Sequence, residues 1–160
     1  MIKRKYVSKE QALQKLKHYC SYQERCHSEV KEKLYGFGLI KPDVEELISV
    51  LIEENYLNEE RFAQQFAGGK FRMNNWGRIK ISHALQQKNV SSYCIKKGLK
   101  EINDTAYEAT LLKLASIKWK ALKGEQYLNR QAKTYSYLLQ KGYEAEWVSK
   151  AISEVKEEKK

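Results

Sequence analysis

Residues 28–66, SEVKEKLYGFGLIKPDVEELISVLIEENYLNEERFAQQF, decide the fold, because the pattern inside them recurs twice further along the chain. Val30 and Leu34 stand four apart and Gly36-Phe37-Gly38 interrupts. Val44, Leu47, Ile48, Leu51 and Ile52 then resume at the i, i+3, i+4, i+7, i+8 spacing of one helical face. The stretch reads as two helices joined by a sharp turn. Pro42 stands where a first helical residue would sit, since its missing N–H is not needed there. Asn55 follows the last periodic residue, where a left-handed cap is tolerated.

Working outward, Leu34, Leu39, Val44, Ile48 and Leu51 find counterparts in Leu85, Val90, Ile95, Leu99 and Ile102 at a constant offset of 51 (90 − 39). A third set, Leu138, Tyr143, Val148, Ile152 and Val155, follows another 53 on (143 − 90). The turns align as Phe37-Gly38-Leu39, Lys88-Asn89-Val90 and Lys141-Gly142-Tyr143. Their middle residues, Gly, Asn and Gly, accept positive φ most readily. A gapless apolar pattern at such a period signals a helical array. The expected fold is all-α, with three tandem three-helix repeats and about nine helices in an elongated, curved right-handed array. The expected units are 1–57 with a short basic N-terminal tail, 58–103, and 104–160 with a charged, frayed tail from Lys156 to Lys160.

Taken in order, Ser8 and Gln11 form a capping box for a first helix whose apolar stripe is Ala12, Leu13, Leu16, Tyr19 and Cys20. Asn58 caps the next helix after the reference stretch, with Glu59 and Glu60 in its first turn. Gly68-Gly69 costs about 1 kcal/mol per Gly inside a helix, so this helix is expected to fray or end there. Residues 73–77 then form the loop, Arg78 to Lys88 the next helix, and Tyr93 to Ile102 another capped by Ser92. The third unit opens near Thr105, breaks at Gly124, resumes at Tyr127 and ends with a helix from about Ala145.

Units of about 50 residues lie near the lower limit for a self-sufficient core, so stacking is expected. The chain is 42% hydrophobic and 31% charged, as soluble globular chains are, and no apolar run approaches a membrane span. Met1 to Tyr6 is basic without a signal-like apolar segment, so a cytoplasmic location is expected. Three cysteines without an export signal read as reduced thiols. His18, Cys20, Cys26 and His27 offer four zinc-ligand types but lack the paired spacing of a zinc knuckle, which favours core thiols and surface imidazoles. Neither a P-loop spacing nor a histidine with an orienting carboxylate is present, so no enzymatic activity and no cofactor are expected.

Charge carries the functional signal. The formal net charge of +10 is segregated: residues 62–100 hold no Asp or Glu while Lys70, Arg72, Arg78, Lys80, Lys88, Lys96, Lys97 and Lys100 contribute +8. Residues 28–61, by contrast, hold nine acids and four bases, and residues 111–133 six bases against Glu125. Such a basic stretch is the footprint of a polyanion contact, and Phe71, Trp76 and Tyr93 interleaved with it offer stacking faces. The alternative is a solvated basic face with the aromatics in the core. Arg78 and Lys80, which flank isoleucines, and Lys96, Lys97 and Lys100 are the leading contact residues. Lys88, just before a turn, has capping of helical carbonyls as an equal alternative.

Ser28-Glu29 followed by Leu34, and residues 56–63, YLNEERFA, resemble the Ser-Glu-x-x-Leu helix start and the Tyr-Leu-Asp-Asp-x-x-Phe-Ala signature of the RecX family, the regulators of the RecA recombinase. Gly77-Arg78-Ile79, Leu85 and Lys88-Asn89-Val90 resemble its Gly-x-x-Arg-Ile, Leu, Lys-Gly-Ile string. The departures are Phe37, Asn58, Asn89 and Gly68-Gly69. The resemblance implies a monomeric protein that binds the RecA nucleoprotein filament, touching the single-stranded DNA within it and bare DNA only weakly, and modulates recombination and ATP hydrolysis. The alternative is an autonomous nucleic-acid-binding module. Against it, the third helices of the three units differ in charge and cannot act as equivalent recognition helices.

Overall fold

The computed structural model describes residues 7–157, and among these there are nine α-helices and no strand. The basic tail at Lys3, Arg4 and Lys5 and the last lysines, Lys159 and Lys160, lie outside the described residues. The helices are α1 (Lys9–Tyr22), α2 (His27–Gly36), α3 (Lys41–Glu53), α4 (Glu59–Asn74), α5 (Arg78–Gln87), α6 (Ser92–Leu99), α7 (Asp104–Ala121), α8 (Tyr127–Gln140) and α9 (Ala145–Glu157).

The repeat is physical. Of the fifteen aligned apolar positions, all but Leu39 and Leu99 are buried. Gly38, Asn89 and Gly142 have φ of 86°, 61° and 100°. Each donates its N–H to the carbonyl three residues back, in Tyr35, Gln86 and Leu139, at 2.9, 3.0 and 3.0 Å. One left-handed residue thus ends α2, α5 and α8 alike, satisfying a carbonyl that the helix leaves orphaned.

The chain divides into two compact units. The first comprises the residues up to Gln65 together with Leu85–Gly98. Its α1 begins with the expected capping box, in which Gln11 N–H donates to Ser8 Oγ and Ser8 N–H to Gln11 Oε1, both at 3.1 Å. Ala12, Leu16, Cys20, Val30, Leu34, Val44, Leu47, Ile48, Leu51 and Leu57 form a buried cluster against which Tyr19 and Phe37 pack. Pro42 takes the first turn of α3, which starts at Lys41, and Asn55 follows that helix at φ 63°.

The second unit comprises Phe66–Ala84 and the chain from Leu99 onward. There α7 packs on α8 and α9 around Tyr107, Leu111, Ala115, Trp119, Leu138, Tyr143, Val148 and Ile152. Asn103 Oδ1 caps α7 by accepting from the N–H groups of Thr105 and Ala106. The start of α5 joins this core backbone to backbone: Gly77 N–H donates to Lys141 O (2.7 Å) and Ile79 N–H to Gly142 O (2.9 Å). A Cβ on Gly77 would lie 2.2 Å from the carbonyl carbon of Gly142, so only glycine fits this approach.

Four boundaries differ from expectation. The helix containing Gly68-Gly69 neither frays nor ends there but runs to Asn74, leaving a loop of residues 75–77 only. Buried Phe62, Ala63 and Ala67 before the pair and Phe71 after it anchor both sides, and this burial outweighs a propensity cost of about 2 kcal/mol. Ser91, not Ser92, caps α6, with Cys94 N–H donating to Ser91 Oγ at 3.2 Å. That helix stops at Leu99 rather than Ile102. Finally, α9 continues through Lys156 and Glu157, where the Lys156 ammonium donates to Gln131 Oε1 at 2.9 Å.

Candidate functional site

The eight bases of the acid-free stretch divide between the units: Lys88, Lys96 and Lys97 in the first, and Lys70, Arg72, Arg78, Lys80 and Lys100 in the second. Seven of them have no carboxylate within 4.0 Å among the described residues, Arg78 being the exception. Some bases elsewhere are paired, Lys9 with Asp43 and Glu46, Lys17 with Glu54 and Arg61 with Glu24, and others are not. Lys96 and Lys100 are exposed on and just after α6, and half-buried Lys97 lies 5.5 Å from the ring centroid of exposed Tyr93. In the second unit, Lys70 and Lys80 bring their ammonium groups to 4.9 and 4.5 Å from the ring of half-buried Trp76. An unneutralised cation held beside an aromatic face is the pairing that binds phosphate and base together.

Arg78 does not project freely as its spacing suggests. Its side chain is 19% exposed, and its guanidinium stacks 4.0 Å from the Tyr107 ring centroid. It pairs with Asp104, lies 3.6 Å from Glu144 and donates to Ile102 O at 3.3 Å. Its own N–H donates to the hydroxyl of fully buried Tyr107 at 2.9 Å, and that hydroxyl donates onward to Glu144. Burial first, and then this bond to Glu144, holds the Tyr107 hydroxyl well above the usual phenol range. Arg78 is a fastener of the second unit. Phe71 likewise offers no stacking face, being buried 5.8 Å from Tyr107, whereas Trp76 and Tyr93 remain accessible in part.

The cysteine and histidine cluster is dispersed into separate roles. Cys20 and Cys26 are buried free thiols, and burial pushes the Cys20 thiol up to about 11. Cys26 Sγ meets Ser28 Oγ at 3.2 Å and Glu29 Oε1 at 3.1 Å, while His27 Nδ1 lies 3.0 Å from Glu59. Among the described residues no group of three or more His, Cys, Asp or Glu is placed to hold a metal ion.

The motif residues are also structural. Ser28 Oγ donates to Lys88 O at 2.7 Å, joining α2 to the turn after α5 within the first unit, and Glu29 accepts from Cys26 N–H. In YLNEERFA, Asn58 Oδ1 caps α4 through Arg61 N–H at 2.9 Å, and Glu59 Oε1 accepts from Ser91 N–H at 3.2 Å. The Arg61 guanidinium binds Glu24 and both the side chain and carbonyl of Asn55. Ala63 is approached so closely by α6 that a Cβ on Gly98 would lie 2.6 Å from its carbonyl oxygen. These residues build turns and crossings; the open chemistry is on the lysines.

One group escaped the sequence reading. Lys15, Arg25 and Lys33 converge with Tyr19, Tyr22 and Phe37 on a cleft of about 620 Å³ in the first unit. The three bases come from three separate segments, so no count along the chain gathers them, and Lys33 falls inside the net-acidic residues 28–61.

Comparison with known proteins agrees with this geometry. The family model for the second three-helix domain of RecX matches residues 58–99, and that for the third matches residues 106–152; together they cover more than half of the chain. The chain is 33% identical over 122 residues to the regulatory protein RecX of Clostridium perfringens strain SM101, covering 74% of this chain and 56% of that protein. It is 26% identical over 141 residues to the regulatory protein RecX of Bacillus cereus strain B4264, covering 88% and 52%. It therefore spans about half the length of these relatives. The crystal structure of RecX from Lactobacillus salivarius superposes with a TM-score of 0.85 at 22% identity, over 92% of this chain and 96% of that one. A second RecX crystal structure gives 0.79 at 20% identity, over 91% and 73%. With its helical turns, motif contacts and matched domains in agreement, the chain belongs to the RecX family.

Proposed function

We propose that this chain is a regulator that binds the RecA nucleoprotein filament and restrains its recombinase and ATPase activities. Three tandem three-helix units, 1–57, 58–103 and 104–160, act as a monomer in the cytoplasm without cofactor or catalysis. Such a series spreads many weak contacts over a long partner. Lys70, Arg72, Lys80, Lys88, Lys96, Lys97 and Lys100 meet phosphate or acidic protein surface, and Arg78 supports them from within. The observation that carries this reading is that, among the described residues, none of those seven bases has a carboxylate within 4.0 Å, while residues 62–100 supply no acid of their own to compensate them. Uncompensated bases release counterions when they meet phosphates, which drives binding and makes it salt-dependent.

The test compares Lys96→Ala/Lys97→Ala/Lys100→Ala with the charge-matched Lys3→Ala/Arg4→Ala/Lys5→Ala. Filament binding and filament ATPase are measured across a salt series. The α6 triple is expected to weaken both and to lower the salt slope by roughly 0.7 to 1 per lost phosphate contact, and the tail triple to change little. Equal weakening by the two triples indicates diffuse attraction and refutes the assignment. Tighter binding to bare single-stranded DNA than to the filament selects the autonomous nucleic-acid module instead.

A further inference from the structure

The cleft of the first unit lies outside residues 58–152, to which the family models apply, and outside the acid-free stretch. Its floor is Tyr19 and Phe37, packed against the core cluster. The Arg25 guanidinium lies 3.7 Å from the Tyr19 ring centroid, held there by its Nε–H donating to Tyr19 O at 3.1 Å. Its remaining N–H groups have no protein acceptor among the described residues, so a planar fork of donors is fixed and unspent. Lys33 stands 5.1 Å from the centroid of the same Tyr19 ring and Lys15 6.0 Å from that of Phe37; both side chains are exposed and, among the described residues, free of ion pairs. Tyr22, the last residue of α1, is 79% exposed at the rim, and among the described residues its ring touches neither a cation nor another ring. Among the described residues no carboxylate lines the cleft; Glu29 and Glu32 line the adjoining hollow instead, and Glu29 is engaged by Cys26 N–H.

We infer that this cleft binds a segment of single-stranded nucleic acid, with phosphates on Arg25, Lys15 and Lys33 and a base stacked on Tyr22. An oriented guanidinium fork between two mobile ammonium groups suits successive phosphates. A bare aromatic face beside them suits a base, whatever its identity. An acidic peptide would satisfy the cations but leave Tyr22 without a role, so the aromatic rim decides between the two polyanions. A few such contacts give weak binding to a bare strand, consistent with a filament as the principal partner. The inference stands apart from the filament reading, because the cleft and the α6 lysines share no residue.

The experiment uses the full chain and a short fluorescent oligothymidylate, followed by anisotropy across a salt series, with fold retention checked by circular dichroism. Tyr22→Ala is expected to weaken binding about five-fold or more with an unchanged salt slope, and Tyr22→Phe to restore it. Lys15→Ala/Lys33→Ala is expected to lower the slope by about 1.4, at roughly 0.7 per single-strand phosphate contact. Unchanged binding in both the Tyr22→Ala and the double lysine variant overturns the inference. So does displacement of the oligonucleotide by polyglutamate at equal charge concentration, which identifies an acidic-peptide site. The Lys96/Lys97/Lys100 variant on the filament separates the two proposals: either can fail while the other survives.

Discussion

Replacing Gly77 by Ala tests the close approach that builds the second unit. Gly77 has no positive φ, so its own backbone accepts an alanine; the obstacle is the neighbouring turn. The added Cβ would lie 2.2 Å from Gly142 C, 2.3 Å from Gly142 O and 2.4 Å from Tyr143 N, all of them backbone atoms that cannot swing aside. Relief requires the start of α5 to withdraw from the Lys141–Tyr143 turn. That movement stretches the bonds from Gly77 N–H to Lys141 O (2.7 Å), from Ile79 N–H to Gly142 O (2.9 Å) and from Tyr143 Oη to Asn75 O (2.9 Å). Each is worth about 1 kcal/mol net, and the residual overpacking costs about 1–3 kcal/mol more. A loss of up to roughly 4–6 kcal/mol is a large share of the 5–15 kcal/mol typical of a folded domain. The three tryptophans, Trp76, Trp119 and Trp147, all lie in the second unit, so their fluorescence during urea unfolding reports this unit alone. A Gly77→Ala urea midpoint that matches wild type would refute the steric reasoning.

Three further outcomes follow from the same contacts. Gly69→Ala should raise stability by about 1 kcal/mol, because the site is helical and a Cβ there meets nothing within 4 Å; a lowered midpoint in the same urea assay contradicts this. Arg78→Ala should cost the second unit about 1–3 kcal/mol by removing the guanidinium from Tyr107, Asp104 and Glu144, whereas Lys96→Ala should shift it by no more than about 0.5; equal, small effects would return Arg78 to the role of a free surface base. Alkaline pH should weaken the first unit: burial raises Cys20 from 9.0 to about 11, so between those values the folded state holds the proton more tightly and stability falls as pH rises. Unfolding followed by far-UV circular dichroism should show this fall and its reduction in Cys20→Ala, with no Cys20 contribution below pH 9; identical pH profiles for the two proteins would exclude the buried thiol as its source.

The sequence by itself determined the helical class, the threefold pattern and its turns. These depend on contacts within a few residues: apolar side chains at helical spacing, Ser8 and Asn58 as caps, and Gly38, Asn89 and Gly142 at positive φ. The acid-free basic stretch was legible for the same reason, since charge is counted along the chain. What the tertiary structure decided rests on partners far apart in sequence. Local propensity argued against a helix through Gly68-Gly69, and the burial of Phe62, Ala63, Ala67 and Phe71 prevailed. The spacing of Arg78 predicts a surface base, but Asp104 and Glu144 stand beside it in the fold, and nothing near position 78 announces either. The cleft of Lys15, Arg25 and Lys33 was invisible because its charges come from separate segments, two of them beside acids in sequence, while folding turns Glu24 to Arg61 and Glu29 to the start of α2. Spacing along a helix specifies which side chains share a face, but only packing specifies what that face meets.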